Sequence, residues 1–385
     1  MRRSFDIRRF CAWFIGMTFL FSGLSKLMDP VGTSYIMKEY FHFFHLHFLD
    51  GAAGFSGICL SLLEAFTGVL LVTGIFRSAT AWIASGMIGF FLILTLILLL
   101  AHPEMECGCF GEGIHLSHFQ TFVKNILLAL LAAGAWAGRK DHGRPRKKKY
   151  VSALISMLSI LVFMIFSLLG LPLQDNTDYA PGNKLLSADP YATVAETSLK
   201  TLFHYEKEGE RVSREAPFRP GPDWRFAGMT TQLVTEEHPS GDLPLTDREG
   251  TEMSGLLSDG PVMVVSLYGK PGPRKWAKLT RTAREAQDAG FEVVMVADEV
   301  YYNDHPLYLA DRKTLSTFNR SNGGLTYLYD GEIIAKWSYA FRPDAGKLRE
   351  IAGKDYVEIA SEEDGRRERL LQGFLLYLFA VLMFL

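Results

Sequence analysis

Five stretches of this chain, residues 10–28, 54–76, 79–101, 118–138 and 151–171, stay apolar over the length a helix needs to cross a bilayer. A hydrocarbon core about 30 Å thick takes roughly 20 apolar residues at helical rise. Inside it every backbone polar group must be bonded within the protein, which leaves helices as the natural form for such stretches. The expectation is an integral membrane protein. A sixth stretch, 370–385, is nearly free of polar atoms but shorter. The first stretch follows Arg2, Arg3, Arg8 and Arg9, as a signal peptide would. It lacks a small-x-small cleavage site, however, and Phe21-Ser-Gly-Leu-Ser-Lys26 continues it as helix, so it reads as a retained anchor.

Apolar residues make up 48% of the chain, but unevenly: 1–171 is dominated by apolar runs and 172–368 reads like a water-soluble domain. The formal net charge of −2 averages a basic half with an acidic one and says little about partners. Nothing points to nucleic acid, because the dense basic run at 139–149 lies between two apolar stretches. That run reads as a topology signal. Basic residues in short loops mark the cytoplasmic side. The N-terminus, Arg77 and the run from Arg139 to Lys149 fall on one side if all stretches span, whereas 29–53 and 102–117 hold Lys38 as their one basic residue apart from histidines. The N-terminus is thus expected in the cytoplasm and the large soluble domain outside. The sixth span is taken in spite of Arg366, Arg367 and Arg369, which stand on the side this rule disfavours.

The first four stretches predict a compact four-helix unit over 1–138, with small residues such as Gly16, Gly23, Gly68 and Gly134 allowing close backbone approach. Residues 139–171 are the basic loop and a fifth span. Residues 172–241 predict an irregular segment with a few short strands. From 242 to 365 the pattern sharpens: strands at 261–268 and 291–297 flank a helix at 273–288, and a short helix at 311–319 follows. A hairpin through Asp330-Gly331 and a helix at 344–352 complete the unit. This βαβαββα order is that of a thioredoxin-like domain. Thioredoxins carry Cys-x-x-Cys after the first core strand; here the stretch is Gly269-Lys-Pro-Gly-Pro-Arg-Lys-Trp276, with no cysteine. A domain without thiols cannot exchange disulfides, so it reads as a docking module. Residues 366–385 form the last apolar helix.

All four cysteines, Cys11, Cys59, Cys107 and Cys109, lie in the membrane half. Cys107-Gly-Cys109-Phe-Gly111 falls in the outward loop between the third and fourth stretches. A ring closed across one residue is strained, and strained bridges are the easily reduced ones. Thiol–disulfide exchange is therefore the reading for Cys107 and Cys109. Two idle thiols in a tight turn is the plain alternative. His102, Glu104, Glu106 and His115 also admit a metal, but their spacing matches no standard zinc pattern and no metal site is assigned. Cys59 is placed near the outer end of its helix, within reach of the pair, and Cys11 reads as a packed residue. Glu64 sits in mid-span, where an ionisable group costs at least about 2.5–3.5 kcal/mol. It is a third candidate for catalysis, with quinone or proton handling as its role and a structural hydrogen bond as the rival. The segment Phe41-His-Phe-Phe-His-Leu-His-Phe48 reads as an interfacial aromatic belt, with metal binding by His42, His45 and His47 the less favoured alternative.

With these residues in view, 6–138 resembles the DoxX/MauE-type membrane proteins. The resemblance is carried by Arg9, Phe21-Ser-Gly-Leu-Ser-Lys26, Asp29-Pro30, Glu64 before Gly68 and Gly74, and Cys107-Gly-Cys-Phe-Gly111. The whole layout resembles the long DoxX family proteins of Gram-negative bacteria, with Asp311-Arg-Lys, Arg320-Ser-Asn and Ile334-Ala-Lys-Trp337 in keeping, although glycine stands at 323 where proline is expected. It implies a membrane all-α bundle, a four-helix DoxX/MauE-like unit plus further spans, joined to an extracytoplasmic α/β thioredoxin-like domain. It also implies the bacterial inner membrane with the large domain periplasmic. DoxX relatives are tied to thiosulfate–quinone redox chemistry, and MauE relatives to maturation of a disulfide-rich periplasmic partner. The expected function is redox-linked, thiol–disulfide or sulfur-compound electron transfer to a membrane acceptor, with a quinone as candidate cofactor. A periplasmic or membrane protein is the expected partner besides the lipid bilayer. The alternative is a non-catalytic scaffold or assembly factor for an envelope complex.

Overall fold

A computed structural model of the chain describes residues 7–103, 105, 108–112, 116–136, 147–185, 197–207, 210–214, 225–235, 243–302 and 306–384. Cys107, Glu104, Glu106, His115 and most of the basic run lie outside the described residues. The membrane half runs α1 (Ile7–Met28), α2 (Pro30–Phe43), α3 (Ala53–Thr73), α4 (Arg77–Ala101), a short strand β1 (Cys109–Glu112), α5 (His118–Trp136) and α6 (Lys147–Leu169). Among the described residues five helical stretches are long and apolar enough to cross a membrane, at the positions expected. Their outer faces carry large apolar side chains, among them Trp82, Phe90, Ile93 and Leu100 on α4 and Leu154, Leu158 and Val162 on α6. A helix can leave such a face uncovered where hydrocarbon takes the place of water.

Packing inside the bundle rests on backbone contact between α1 and α3. A Cβ placed on Gly23 would stand 2.5 Å from the Ser61 carbonyl oxygen and 2.6 Å from the Ala65 nitrogen. One placed on Gly68 would stand 2.6 Å from the Gly16 carbonyl oxygen. No side chain fits between these backbones, so small residues are what the crossing requires. Around it Leu20, Leu24, Ala65 and Val69 pack with Ile160 and Phe163 of α6, and Ile15, Phe19 and Leu71 pack with Ile88 of α4 and Leu128 of α5.

One stretch read as a connection is structured. Residues 30–43 form α2, and a 3₁₀ turn over His47–Ala52 follows it. The Asp29 carboxylate caps α2 by accepting from the Gly32 N–H at 2.9 Å, and Pro30 opens the helix where its missing N–H leaves nothing unsatisfied.

The soluble half begins with β2 (Thr197–Lys207), β3 (Glu210–Arg214) and β4 (Arg225–Thr235), an antiparallel sheet in the order β3-β2-β4. The short strands and irregular chain expected here are instead dominated by two strands of 11 residues each. Next come β5 (Pro261–Leu267), α7 (Pro273–Asp288), β6 (Glu292–Ala297), β7 (Tyr308–Leu309), α8 (Arg312–Phe318), β8 (Gly324–Tyr329), β9 (Glu332–Trp337), α9 (Ala345–Ala352) and α10 (Tyr356–Phe384). The mixed sheet has the order β7-β6-β5-β8-β9, with β5, β6 and β7 parallel and β8 and β9 antiparallel. Its element order is the expected one with β7 added. Alternation along β5 divides the core: Met263, Val265 and Leu267 face α7 and α9, while Val262 and Val264 share a cluster with Leu315 and Phe318 of α8. Helix α10 passes unbroken through residue 366 into the apolar stretch and lies antiparallel to α6. Phe374 stacks on Phe163 at 4.4 Å, and the Ser152 hydroxyl donates to the Val381 carbonyl at 2.7 Å.

The segment after α6 closes onto the hairpin edge. The Ile333 N–H donates to the Asn183 carbonyl at 2.9 Å, and the Lys336 ammonium meets the Asp175 carboxylate at 2.8 Å, both side chains nearly buried. Burial pushes the Asp175 carboxyl up, but the charge and hydrogen bond of Lys336, helped by Thr177, outweigh it and hold the group below the ordinary carboxylate value of 3.8. A depressed carboxyl contributes stability that is present above its unfolded pKa and lost as pH falls through the folded one. Lys336→Met should therefore destabilise the protein by about 3–5 kcal/mol at neutral pH, the range for a buried charge left without its partner. Melts in detergent should show the gap from wild type narrowing as pH falls towards 3.8 and below.

Candidate functional site

The crossing of α1 and α3 brings two charges together in the apolar bundle. The Lys26 ammonium donates to both Glu64 oxygens, at 2.7 Å and 2.8 Å, and Glu64 and Lys26 are 1% and 7% exposed. Each charge alone would be costly in hydrocarbon, and each supplies the other's remedy. The Ser22 hydroxyl stands 2.8 Å from Glu64 Oε2 and 2.8 Å from the carbonyl oxygen of Cys109, with Lys26 Nζ 3.3 Å away. One hydroxyl hydrogen can serve only one acceptor at a time. Ser22 thus holds β1 or Glu64, and can also accept from Lys26. The Lys26 carbonyl in turn accepts from Thr33 of α2 at 2.9 Å. The ammonium also lies 5.5 Å from the Phe91 ring centre on α4.

The strand carrying Cys109 is therefore seated on the buried pair. Gly108 has φ +54, and a Cβ there would stand 2.5 Å from Ile36 Cγ2, so both backbone and neighbour favour glycine between the two cysteines. Phe110 lies between Phe21, at 5.5 Å, and the Lys124 ammonium, at 4.6 Å from the ring centre. Cys109 is partly exposed. Cys107 lies outside the described residues. Cys59 is an exposed free thiol. It sits on the face of α3 away from Gly57, Ser61 and Glu64. Cys11 is a buried free thiol, 3.8 Å from where a Cβ on Gly134 would lie. His42, His45 and His47 lie at the end of α2 and in the turn beyond it, all exposed or nearly so.

The other side of α2 meets the α/β domain. Asp29 Oδ2 is 3.0 Å from Arg320 Nε, and the Tyr35 hydroxyl bonds the Ser316 hydroxyl. The Tyr268 hydroxyl donates to the Arg320 carbonyl at 2.8 Å, and burial pushes that phenol up from its ordinary value. Arg320 and Tyr268 belong to the two loops at the ends of β5 and β8, the edge where a thiol motif was sought. Asp298 shapes the same edge by accepting from the Gly269 N–H at 2.9 Å and 3.0 Å and from the Tyr301 hydroxyl. Burial, with that bond to Asp298, pushes Tyr301 up to about 12.

Sequence reasoning singled out Glu64 but not its partner. Lys26 entered only as part of a motif, although a lysine in one apolar helix and a glutamate in another are each hard to place alone. Asp29-Pro30 likewise carried the signal of a capped helix start. Arg320 entered only within the Arg320-Ser-Asn motif, and Tyr35 and Ser316 carried no signal.

Residues 6–138 match the family model described as Methylamine utilisation protein MauE, a DoxX-like membrane family. The membrane half is MauE-like. The matched stretch holds α1 to α5, and so the whole Lys26–Glu64–Ser22–Cys109 network. With its apolar helices it makes the chain a multi-pass membrane protein. No curated protein and no solved structure matches the chain.

Replacing Glu64 by Leu should strand the Lys26 charge and destabilise the bundle by about 3–5 kcal/mol, with Lys26→Met close behind. The double variant should lose much less than the sum of the two. Thermal melts of the four proteins in detergent measure this, and additive losses would remove the pair from its place at the centre of the bundle.

Proposed function

We propose that this is an inner-membrane redox accessory protein in which Cys107 and Cys109 exchange disulfides with a periplasmic protein partner. The observation that carries the reading is the bond from Ser22 to the Cys109 carbonyl, which seats the cysteine loop on the buried Lys26–Glu64 pair. In the exchange, a partner dithiol gives two electrons and two protons to the Cys107–Cys109 disulfide and becomes a disulfide itself. The reduced pair then passes two electrons and two protons to a membrane quinone, a co-substrate that becomes quinol. No residue is assigned to the quinone, since Lys26 already directs its hydrogens to Glu64 and Ser22. Glu64 is a positioning residue in this reading. Residues 242–365 are a thioredoxin-like module without thiols. Its sheet order and antiparallel hairpin support that likeness, and its role is to hold the partner near the loop.

The N-terminus is cytoplasmic, the α/β domain periplasmic, and α10 the sixth span. The antiparallel lie of α10 on α6, with Val381 level with Ser152, supports the last point. A second reading, a scaffold that never cycles its cysteines, is favoured by the interface from Asp29 and Tyr35 to the α/β domain, which needs no chemistry.

Thiol trapping separates the two. In cells, either Cys107→Ser or Cys109→Ser should accumulate a reductant-sensitive mixed disulfide with the partner, and the double serine variant should give none and lose any thiol-linked phenotype. Full complementation by the double variant, with no adduct from either single one, would establish the scaffold.

Topology has its own test in a cysteine-free background. Glu249→Cys should be labelled by an impermeant maleimide in spheroplasts, and Lys148→Cys only after lysis. The reverse pattern overturns the orientation.

A further inference from the structure

We infer that His42, His47 and Asp50 form a binding site for a late first-row divalent cation, with Zn²⁺ as the fitting ion. One ligand atom from each of the three lies within 4.8 Å of the others. His42 Nε2 stands 2.8 Å from Asp50 Oδ2, and the His42 and His47 rings are 4.6 Å apart.

The backbone builds this convergence. The Leu46 N–H donates to the Phe41 carbonyl at 2.7 Å and the His45 N–H to the His42 carbonyl at 3.0 Å, the paired bonds that end a helix by reversal. His45 takes the left-handed position at φ 57, where glycine is usual, at a strain of about 1–3 kcal/mol. The reversal folds the 3₁₀ turn over the last turn of α2 and sets His47 and Asp50 beside His42. His45 itself stays outside the group, its ring 6.4 Å from that of His47.

The donor chemistry selects the ion. Two imidazoles and one carboxylate suit zinc and its neighbours, and three protein ligands leave a fourth position for water or a ligand. Calcium and magnesium want oxygen ligands throughout. Zinc bonds of about 2.0–2.2 Å place tetrahedral ligands roughly 3.4 Å apart, so binding needs only a slight opening between His42 and Asp50 and a slight closing elsewhere. The second carboxylate oxygen, Asp50 Oδ1, is shielded from solvent and has no hydrogen-bond partner among the described residues. A bound cation would satisfy it. The site would also clasp the end of α2, the helix that carries Asp29, Tyr35 and Ile36.

The test uses the full chain in detergent, tag removed and dialysed against chelator. A Cys59→Ser/Cys107→Ser/Cys109→Ser background keeps the exposed thiol and the loop thiols from competing for the metal. Calorimetric titration with ZnCl₂ should show one ion per chain. His42→Ala, His47→Ala and Asp50→Asn should each weaken binding more than about tenfold, since even outer partners of a metal ligand are worth 10–100-fold. His45→Gly, which suits the left-handed position and removes only the ring, should stay within about twofold of its parent. X-ray absorption at the zinc edge of the loaded parent, which does not depend on any ligand variant folding, should show two imidazoles and a carboxylate oxygen. No uptake, unchanged affinity in the three ligand variants, an equal loss in His45→Gly, or a shell without imidazole would each overturn the site.

Discussion

Glycines at 16, 23 and 68 let the backbones of α1 and α3 touch, and that contact makes a Lys26–Glu64 pair tolerable in the middle of the bundle. A charge in hydrocarbon is stable only where its counter-charge meets it at hydrogen-bond length with the remaining polar atoms served. Backbone contact supplies the length, and Ser22 and Phe91 help to complete the surroundings. Any side chain larger than hydrogen at Gly23 would press into the Ser61 carbonyl and push the helices apart. The pair, the serine and the seat of the cysteine strand would then be lost together.

Helix α2 extends that arrangement to the soluble half. Its capping residue does two things at once: one oxygen of Asp29 satisfies the helix start and the other meets Arg320 of the α/β domain. Ile36, one residue beyond Tyr35, packs against Gly108 of the cysteine loop, while Tyr35 itself bonds Ser316. A short helix is thus shared between the loop that carries the thiols and the domain that lacks them. The edge of the α/β domain that meets α2 includes Tyr268 and the loop after β5, where the sequence has no cysteine. Tyr268, Asn322 and Asp298 order that edge by bonds to backbone.

Much of the architecture was legible in order and length alone. Five apolar stretches of that length form helices in lipid, and the run Pro261-Val-Met-Val-Val-Ser-Leu-Tyr268, between a turn and a basic amphipathic stretch, reads as the buried strand it forms. The first misreading came at 29–53, where polar and aromatic residues without a 20-residue apolar run looked like a connection; an Asp29-Pro30 cap and lateral packing on α3 make it helical. The second came at 197–235, where weak alternation hid two long strands that backbone hydrogen bonds pair in the order β3-β2-β4.

Composition and spacing by themselves determined that this chain enters a membrane, that its thiols lie only in the membrane half, and that Glu64 needs an explanation. Those conclusions follow from local quantities: the hydropathy of a segment, the chemistry of a side chain, the cost of one charge. Tertiary structure alone decided which charge answers Glu64, which backbone atom Ser22 holds, and where Arg320 finds its carboxylate. Lys26 and Glu64 are 38 residues apart, and Asp29 and Arg320 lie in different halves of the chain. Ion pairs and hydrogen bonds act over about 3 Å, so a partner in sequence-distant chain is fixed only when helix crossings and sheet order bring the backbones together.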